Sequence, residues 1–281
     1  MNNILENEIH SKGIVKIKNF LNENEVNNLK KIIKYFSVPK GHKYSYVSLN
    51  YYQLFLKVLK LNFKKVEHDI KISKFKREIM QEISDKYFKK KSFLRVSDAY
   101  CSPISDKDIL SWHTDQAYSG RLDVEKNSLV DPNKFYLKFM IYLTDVGPNN
   151  GCTSYIPKSH KITYLIRKGI YEEKLIYQPY WTLKQLINFI KKEENYLYIK
   201  DRLDDKSLID EFLNFKLYET GDSNTEIKSI YNNVDFSEED KSKYDFKLSA
   251  GDAIVFDEGG VHRGSKTLES ERIVIRYFYS I

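Results

Sequence analysis

The chain has 281 residues, 41% of them hydrophobic, and 46 Lys and Arg against 39 Asp and Glu give a net charge of +7. That length suits one large domain or two small ones with a true core, and no run of roughly 18 apolar residues is present to span a membrane. The basic excess is spread along the chain and interleaved with acids, as in 168–174 and 235–247, which argues against a nucleic-acid partner and leaves an anionic small-molecule substrate as its milder use.

In chain order, residues 13–20 alternate Val15 and Ile17 with lysines, as a strand does. Asn22, with Glu25 three residues on, forms a capping box for a helix carrying Val26, Leu29, Ile33 and Phe36 at helical spacing. The stretch 39–41 ends it. Helices are expected over 53–61 and over 70–88, the latter with Ile72, Phe75, Ile79 and Ile83 as its apolar stripe. From residue 93 the period changes. Residues 93–101 read as a strand, 135–146 as a buried central strand, and 148–151 (Pro-Asn-Asn-Gly) as a turn before another strand at 152–157. Residues 161–247 read as a partly helical insertion without a core of its own, with helices over 182–192 and 207–215 and a polar loop over 221–243. Strands return at 245–248, 253–257 and 272–281. Helices followed by many short strands indicate an α+β fold, mainly antiparallel, in one domain spanning 1–281. Cys101 and Cys152 are the only cysteines and are expected as reduced thiols. The polar first ten residues lack the pattern of a signal peptide, so the expected location is cytoplasmic.

Chemistry concentrates around Ser111-Trp112-His113-Thr114-Asp115-Gln116. In extended chain, residues i and i+2 share a face, so His113 and Asp115 can offer a nitrogen and an oxygen to one point, with Trp112 shielding the pocket. A second histidine would complete the two-His, one-carboxylate set of non-haem Fe(II) oxygenases. Of six histidines, His10, His42, His68 and His160 read as structural or solvent-exposed. His262 follows an apolar strand and a double glycine, Gly259-Gly260, that lets backbone approach a metal closely. Ten positions further, Arg272 opens an apolar strand, where a buried guanidinium needs an anion and matches a carboxylate in bidentate fashion. Arg276 lies on the same strand face and is the alternate anchor. The competing reading of Arg272 is a structural ion pair with Glu269 or Glu271.

His113-Thr114-Asp115, the 135–146 strand, Asn150-Gly151-Cys152 through Pro157-Lys158-Ser159-His160, Gly251-Asp252, His262-Arg263-Gly264 and Arg272, together with the opening Gly13-Ile14-Val15 to Asn19-Phe20-Leu21, resemble the phytanoyl-CoA dioxygenase-like family of Fe(II)/2-oxoglutarate-dependent oxygenases. The resemblance implies a double-stranded β-helix (jelly-roll, cupin-like) core with N-terminal helices. It also implies iron held by His113, Asp115 and His262, and 2-oxoglutarate with its distal carboxylate on Arg272. Tyr100 and Met140 would line the co-substrate by position. Two features depart from the family. Lys158 stands where glycine is usual, and the 161–247 insertion is long.

Related halogenases replace the aspartate with a small residue to admit chloride. Asp115 therefore points to hydroxylation of a C–H bond of a small molecule, with O2 consumed and succinate and CO2 released. Lys138, Tyr142 and Trp181 are substrate-pocket candidates, and Tyr136 shares their strand face. Two other readings stay open: a non-catalytic jelly-roll protein binding a ligand such as a glycan, and a jelly-roll metalloenzyme without 2-oxoglutarate.

Overall fold

The computed structural model describes residues 2–40, 44–48, 72–115, 135–214 and 244–281. The helix expected over 53–61 and the loop expected over 221–243 lie outside these residues. Near the N-terminus, α1 (Asn2–Lys12) leads into β1 (Ile14–Ile17) and α2 (Glu23–Phe36). The capping box of α2 forms as expected: the Asn22 side chain accepts from Glu25 N, and Asn22 N donates to the Glu25 carboxylate, both at 2.9 Å. Two short strands, β2 (Val38–Lys40) and β3 (Tyr44–Ser48), follow where no strand was expected. Next come α3 (Lys74–Phe88), which starts at its Ser73 cap rather than at residue 70, and β4 (Phe93–Ser102). Then come β5 (Leu110–His113), β6 (Leu137–Tyr142) and β7 (Thr153–Tyr155). Among the described residues of the inserted region are four helices: α4 (Ser159–Tyr171), α5 (Leu183–Ile190), α6 (Glu193–Arg202) and α7 (Leu208–Leu213). The chain ends on β8 (Ala253–Asp257), β9 (His262–Gly264) and β10 (Arg272–Ser280). No helix among the described residues is long and apolar enough to cross a membrane.

The strands form two antiparallel sheets. The larger has the order β1-β8-β6-β10-β4-β3-β2 and the smaller β5-β9-β7. Residues 244–248 extend the smaller sheet beside β7, through Tyr155 N to Tyr244 O at 3.1 Å and Phe246 N to Thr153 O at 3.2 Å. Two facing antiparallel sheets joined in this order are the jelly-roll core.

Strand alternation then sorts the side chains. On β6, β8 and β10, Phe139, Ile141, Val255, Ile273, Ile275 and Tyr277 pack against α1, α2 and α3 in one buried cluster. Their alternate neighbours Met140, Tyr142, Ile254, Phe256 and Val274 fill the space between the sheets. Period-two geometry puts Lys138, Arg272 and Arg276 on that same inner face. This is why the polar residues of apolar strands converge.

The inserted helices pack against the smaller sheet. Leu183, Leu186, Ile187, Ile190, Ile199 and Phe212 form a third buried cluster, closed by Trp112, Ile156 and Val261 of the smaller sheet. It has a core, one that the sheet's outer face completes. Trp112 belongs to this cluster at 1% exposure. It points away from the pocket it was expected to shield, because on a strand it must face opposite to His113.

Candidate metal centre

His113 and His262 sit directly opposite each other on the antiparallel pair β5–β9, with ring centroids 4.3 Å apart. Asp115 lies beyond the end of β5, in a turn rather than on the strand. That turn is pinned by Thr114 N to Trp181 O at 3.0 Å and Asp115 N to Glu258 O at 3.2 Å. The Thr114 hydroxyl adds a bond to Gly259 O at 2.6 Å. These bonds return the Asp115 carboxylate to the histidines. Its Oδ1 lies 3.2 Å from His113 Nε2 and its Oδ2 3.4 Å from His262 Nε2. One ligand atom from each of the three residues falls within 4.8 Å of the others.

The hydrogen bonding suits a metal. His113 Nδ1 contacts Ser111 O at 2.6 Å and His262 Nδ1 contacts Gly260 O at 2.8 Å. A carbonyl only accepts, so each Nδ1 carries the proton and each Nε2 presents a lone pair. His113 Nε2 is buried without a hydrogen bond, an orphaned acceptor that a cation would satisfy. Burial and the neighbouring His113 and Lys138 bring His262 down to about 4 against the pull of Asp115, so it is a neutral imidazole at physiological pH. Burial would raise Asp115, but the Lys138 ammonium outweighs it and holds the carboxyl well below its usual range. Two imidazole nitrogens and one carboxylate on one side of a point are the donor set that suits non-haem Fe(II).

Beside this cluster a cavity of about 590 Å³ opens, its wall including Tyr100, Met140, Phe256, Val274 and the cations Lys138, Arg272 and Arg276. Arg272 is 5% exposed. Its guanidinium lies over the Tyr142 ring at 5.6 Å, and its Nε has no hydrogen-bond partner. Burial lowers its pKa, with Tyr142 opposing and Arg276 adding to the fall. No carboxylate among the described residues pairs with it. Glu271, its expected structural partner, bonds Lys34 instead. Gly151, at φ +71°, is required here: a Cβ would come within 2.7 Å of the Arg272 side chain.

Tyr100 and Met140 line the cavity. Tyr142 does not. It is fully buried, bonded through its hydroxyl to Thr153 at 2.6 Å, and its role is to support Arg272. Trp181 packs with the helical cluster, its ring 5.8 Å from that of His113. The Gly259-Gly260 loop owes its glycines to side-chain packing rather than to close approach of a metal. A Cβ on Gly260 would fall 1.8 Å from the Tyr155 hydroxyl, and one on Gly259 would meet Asp257 and Arg167 at 3.0 and 3.2 Å. Both cysteines are free thiols, and burial pushes Cys152 up to about 12.

Three supports escaped the sequence reading. Asp98 receives two bonds from Arg276, each 2.8 Å. Glu258 binds the Asp115 turn through its carbonyl and lies 3.8 Å from Lys138 through its carboxylate. Arg263, wholly buried, reaches Asp245 at 3.1 Å and Asp108 at 3.7 Å, and so anchors β9 next to His262. The adjacency of Arg263 to His262 was the one signal in the sequence.

Residues 9–272 match the family model for phytanoyl-CoA dioxygenase (PhyH). None of the curated proteins matches the chain. Among solved structures, EvdO2 from Micromonospora carbonacea var. aurantiaca complexed with 2-oxoglutarate superposes with a TM-score of 0.52 at 14% identity, covering 100% of this chain and 91% of that one. HygX from Streptomyces hygroscopicus, with nickel, 2-oxoglutarate and hygromycin B bound, gives 0.50 at 12% identity, covering 99% and 86%. At such identities the likeness is one of fold.

Proposed function

The chain belongs to the phytanoyl-CoA dioxygenase (PhyH) family, whose members are Fe(II)/2-oxoglutarate-dependent enzymes, and from that membership we propose that it hydroxylates a C–H bond of a small molecule. The non-catalytic binding protein and the metalloenzyme without 2-oxoglutarate give way to that membership. The observation carrying the proposal is Asp115. A carboxylate stands with His113 and His262 where halogenation would need a vacancy.

In this reading His113, Asp115 and His262 hold the iron on one side and leave the cavity side open. Arg272, buried and without a carboxylate of its own, takes the distal carboxylate of 2-oxoglutarate in a fork. Met140, Val274, Tyr100 and Arg276 line the same cavity. When bound, iron with 2-oxoglutarate and O2 supplies the oxidising chemistry: one oxygen atom goes to the substrate C–H bond and the other to succinate, with CO2 released. The cavity volume suits a drug-sized molecule, within the roughly 300–1,000 Å³ of small-molecule sites. Residues 1–281 act as one catalytic unit, since the inserted helices share their core with the smaller sheet.

The test is turnover under labelled dioxygen with Fe(II), 2-oxoglutarate and a panel of small-molecule substrates. Succinate formation tied to a product heavier by one labelled oxygen atom supports hydroxylation. Succinate formation with a product of unchanged mass, as in an epimerisation, sinks it. His113→Ala abolishes both signals.

A further inference from the structure

Lys138 is a lysine in the middle of a buried strand, 5% exposed. Its neighbours across the sheet are Phe256 and Phe278, and its ammonium lies 5.4 and 4.8 Å from their ring centroids. Two phenyl rings hold the stem and leave the ammonium one direction to reach. It bonds Asp115 Oδ2, with the Glu258 carboxylate next nearest at 3.8 Å. For stability alone the lysine is a poor choice, because replacing a buried ion pair by apolar residues is often neutral or favourable. Asp115 Oδ1 faces His113 instead. Oδ2 also faces His262 Nε2, at 3.4 Å, so the two oxygens differ in one respect: Oδ2 carries the Lys138 hydrogen bond and Oδ1 carries none from it.

We infer that Lys138 is a positioning residue that restricts Asp115 to a single ligating oxygen, keeping open for 2-oxoglutarate the coordination position that a chelating carboxylate would fill. The inference rests on the reading of His113, Asp115 and His262 as the iron ligands. It separates two affinities that a merely structural lysine would move together. Without the ammonium, Asp115 can turn both oxygens to the metal. Metal binding then holds or tightens, because a nearby cation is gone and an oxygen is gained. Binding of 2-oxoglutarate to the metal-loaded protein weakens, because its position is contested.

The experiment titrates Mn(II), and then 2-oxoglutarate, into wild type, Lys138→Met, Lys138→Gln and Lys138→Arg by calorimetry, with thermal melts to confirm folding. Expected are unchanged or tighter Mn(II) binding in Lys138→Met and Lys138→Gln, and 2-oxoglutarate binding to the Mn(II)-loaded protein weaker by about 10–100-fold, the range for groups that orient metal ligands. Lys138→Arg, which keeps a donor on Oδ2, recovers most of that loss. The visible charge-transfer band of the anaerobic Fe(II)–2-oxoglutarate complex follows the same order. Equal 2-oxoglutarate affinity in wild type and both neutral variants overturns the inference. So does an equal loss measured without metal, which would make Lys138 a direct co-substrate contact. A wild type that binds neither Mn(II) nor 2-oxoglutarate overturns the reading of the site itself and is told apart by failing before any variant is compared.

Discussion

Arg276 and Asp98 face each other across β10 and β4 and are joined by two bonds of 2.8 Å. Four residues earlier, on the same face of the same strand, Arg272 stands opposite Ser102. The two arginines that the sequence offered as alternatives are thus separated by their cross-strand partners. One guanidinium has its anion built in, and the other awaits one. Arg272→Ala should weaken 2-oxoglutarate binding by about 2–5 kcal/mol, the loss on truncating one partner of a buried charge pair, or roughly 30-fold and more, with metal affinity kept. Arg276→Met should leave that affinity near wild type and lower stability by about 2–3 kcal/mol, toward the low end for a pair partly open to a cavity. Calorimetry and denaturant melts on both variants check the split. A larger loss of 2-oxoglutarate affinity in Arg276→Met would reverse the assignment.

The metal centre gives a second expectation. A ligand that binds only the folded state stabilises it by about 2.7 kcal/mol at a hundred times its dissociation constant, a rise in Tm of roughly 5–10 °C for a chain of this size. Saturating Mn(II) should raise the Tm of wild type by that amount, EDTA should remove the gain, and His113→Ala and His262→Ala should show none. A full gain in either variant would mean that the metal binds elsewhere.

These expectations show what a single chain exposes and what it hides. His113, Asp115, His262 and Arg272 were legible because each carries its signal locally, a polar residue of a definite type at the edge of an apolar strand. The partners of those residues were not. Lys138 reaches Asp115 across 23 positions and Arg276 reaches Asp98 across 178, and only the strand register decides such meetings. Trp112 was assigned to the wrong side because its neighbour His113 had to face the cavity, and strand alternation allows one of the two there. The short β2–β3 pair was missed because β2 is only three residues long and carries the turn-forming Pro39, while β3 offers just Tyr44, Tyr46 and Val47 as its strand signal. The inserted helices were seen as helices, but their packing was not, since Trp112, Ile156 and Val261, which close their cluster, come from distant parts of the chain.

Asp252 carries a pH prediction away from the centre. Its carboxylate receives Lys18, Asn19 N at 2.9 Å and Ser249 N at 3.0 Å, which outweigh its burial and lower its pKa. A depressed folded pKa gives stability that is present above the unfolded value, about 3.9, and is lost as pH falls through the folded value. Asp252→Ala should therefore cost about 1–3 kcal/mol at neutral pH through stranded backbone donors. The gap to wild type should narrow only in acid, below about pH 4. Urea melts across pH measure it, and a gap that widens in acid would contradict the assignment.

Lys158 explains why its position favours glycine in the family the chain resembles. It holds φ +66°, ψ −6° at the start of α4, with no side-chain cap, a left-handed conformation that costs an ordinary residue about 1–2 kcal/mol. Its backbone N–H bonds Lys12 O at 2.8 Å, and glycine would keep that bond. Its contact with Asp205, 3.7 Å between exposed groups, contributes little. Glycine loses more chain entropy on folding, by roughly 0.5–1 kcal/mol, so the net gain from Lys158→Gly should be about 0.5–1 kcal/mol, the middle of the roughly 0–1.5 kcal/mol span those two ranges allow. That corresponds to a Tm higher by roughly 1–4 °C, with metal and 2-oxoglutarate affinities unchanged. Lys158→Ala keeps the left-handed backbone without the ammonium and should gain nothing. Equal stabilisation in the two variants would mean that the lysine's charge, and not its backbone, carries the cost.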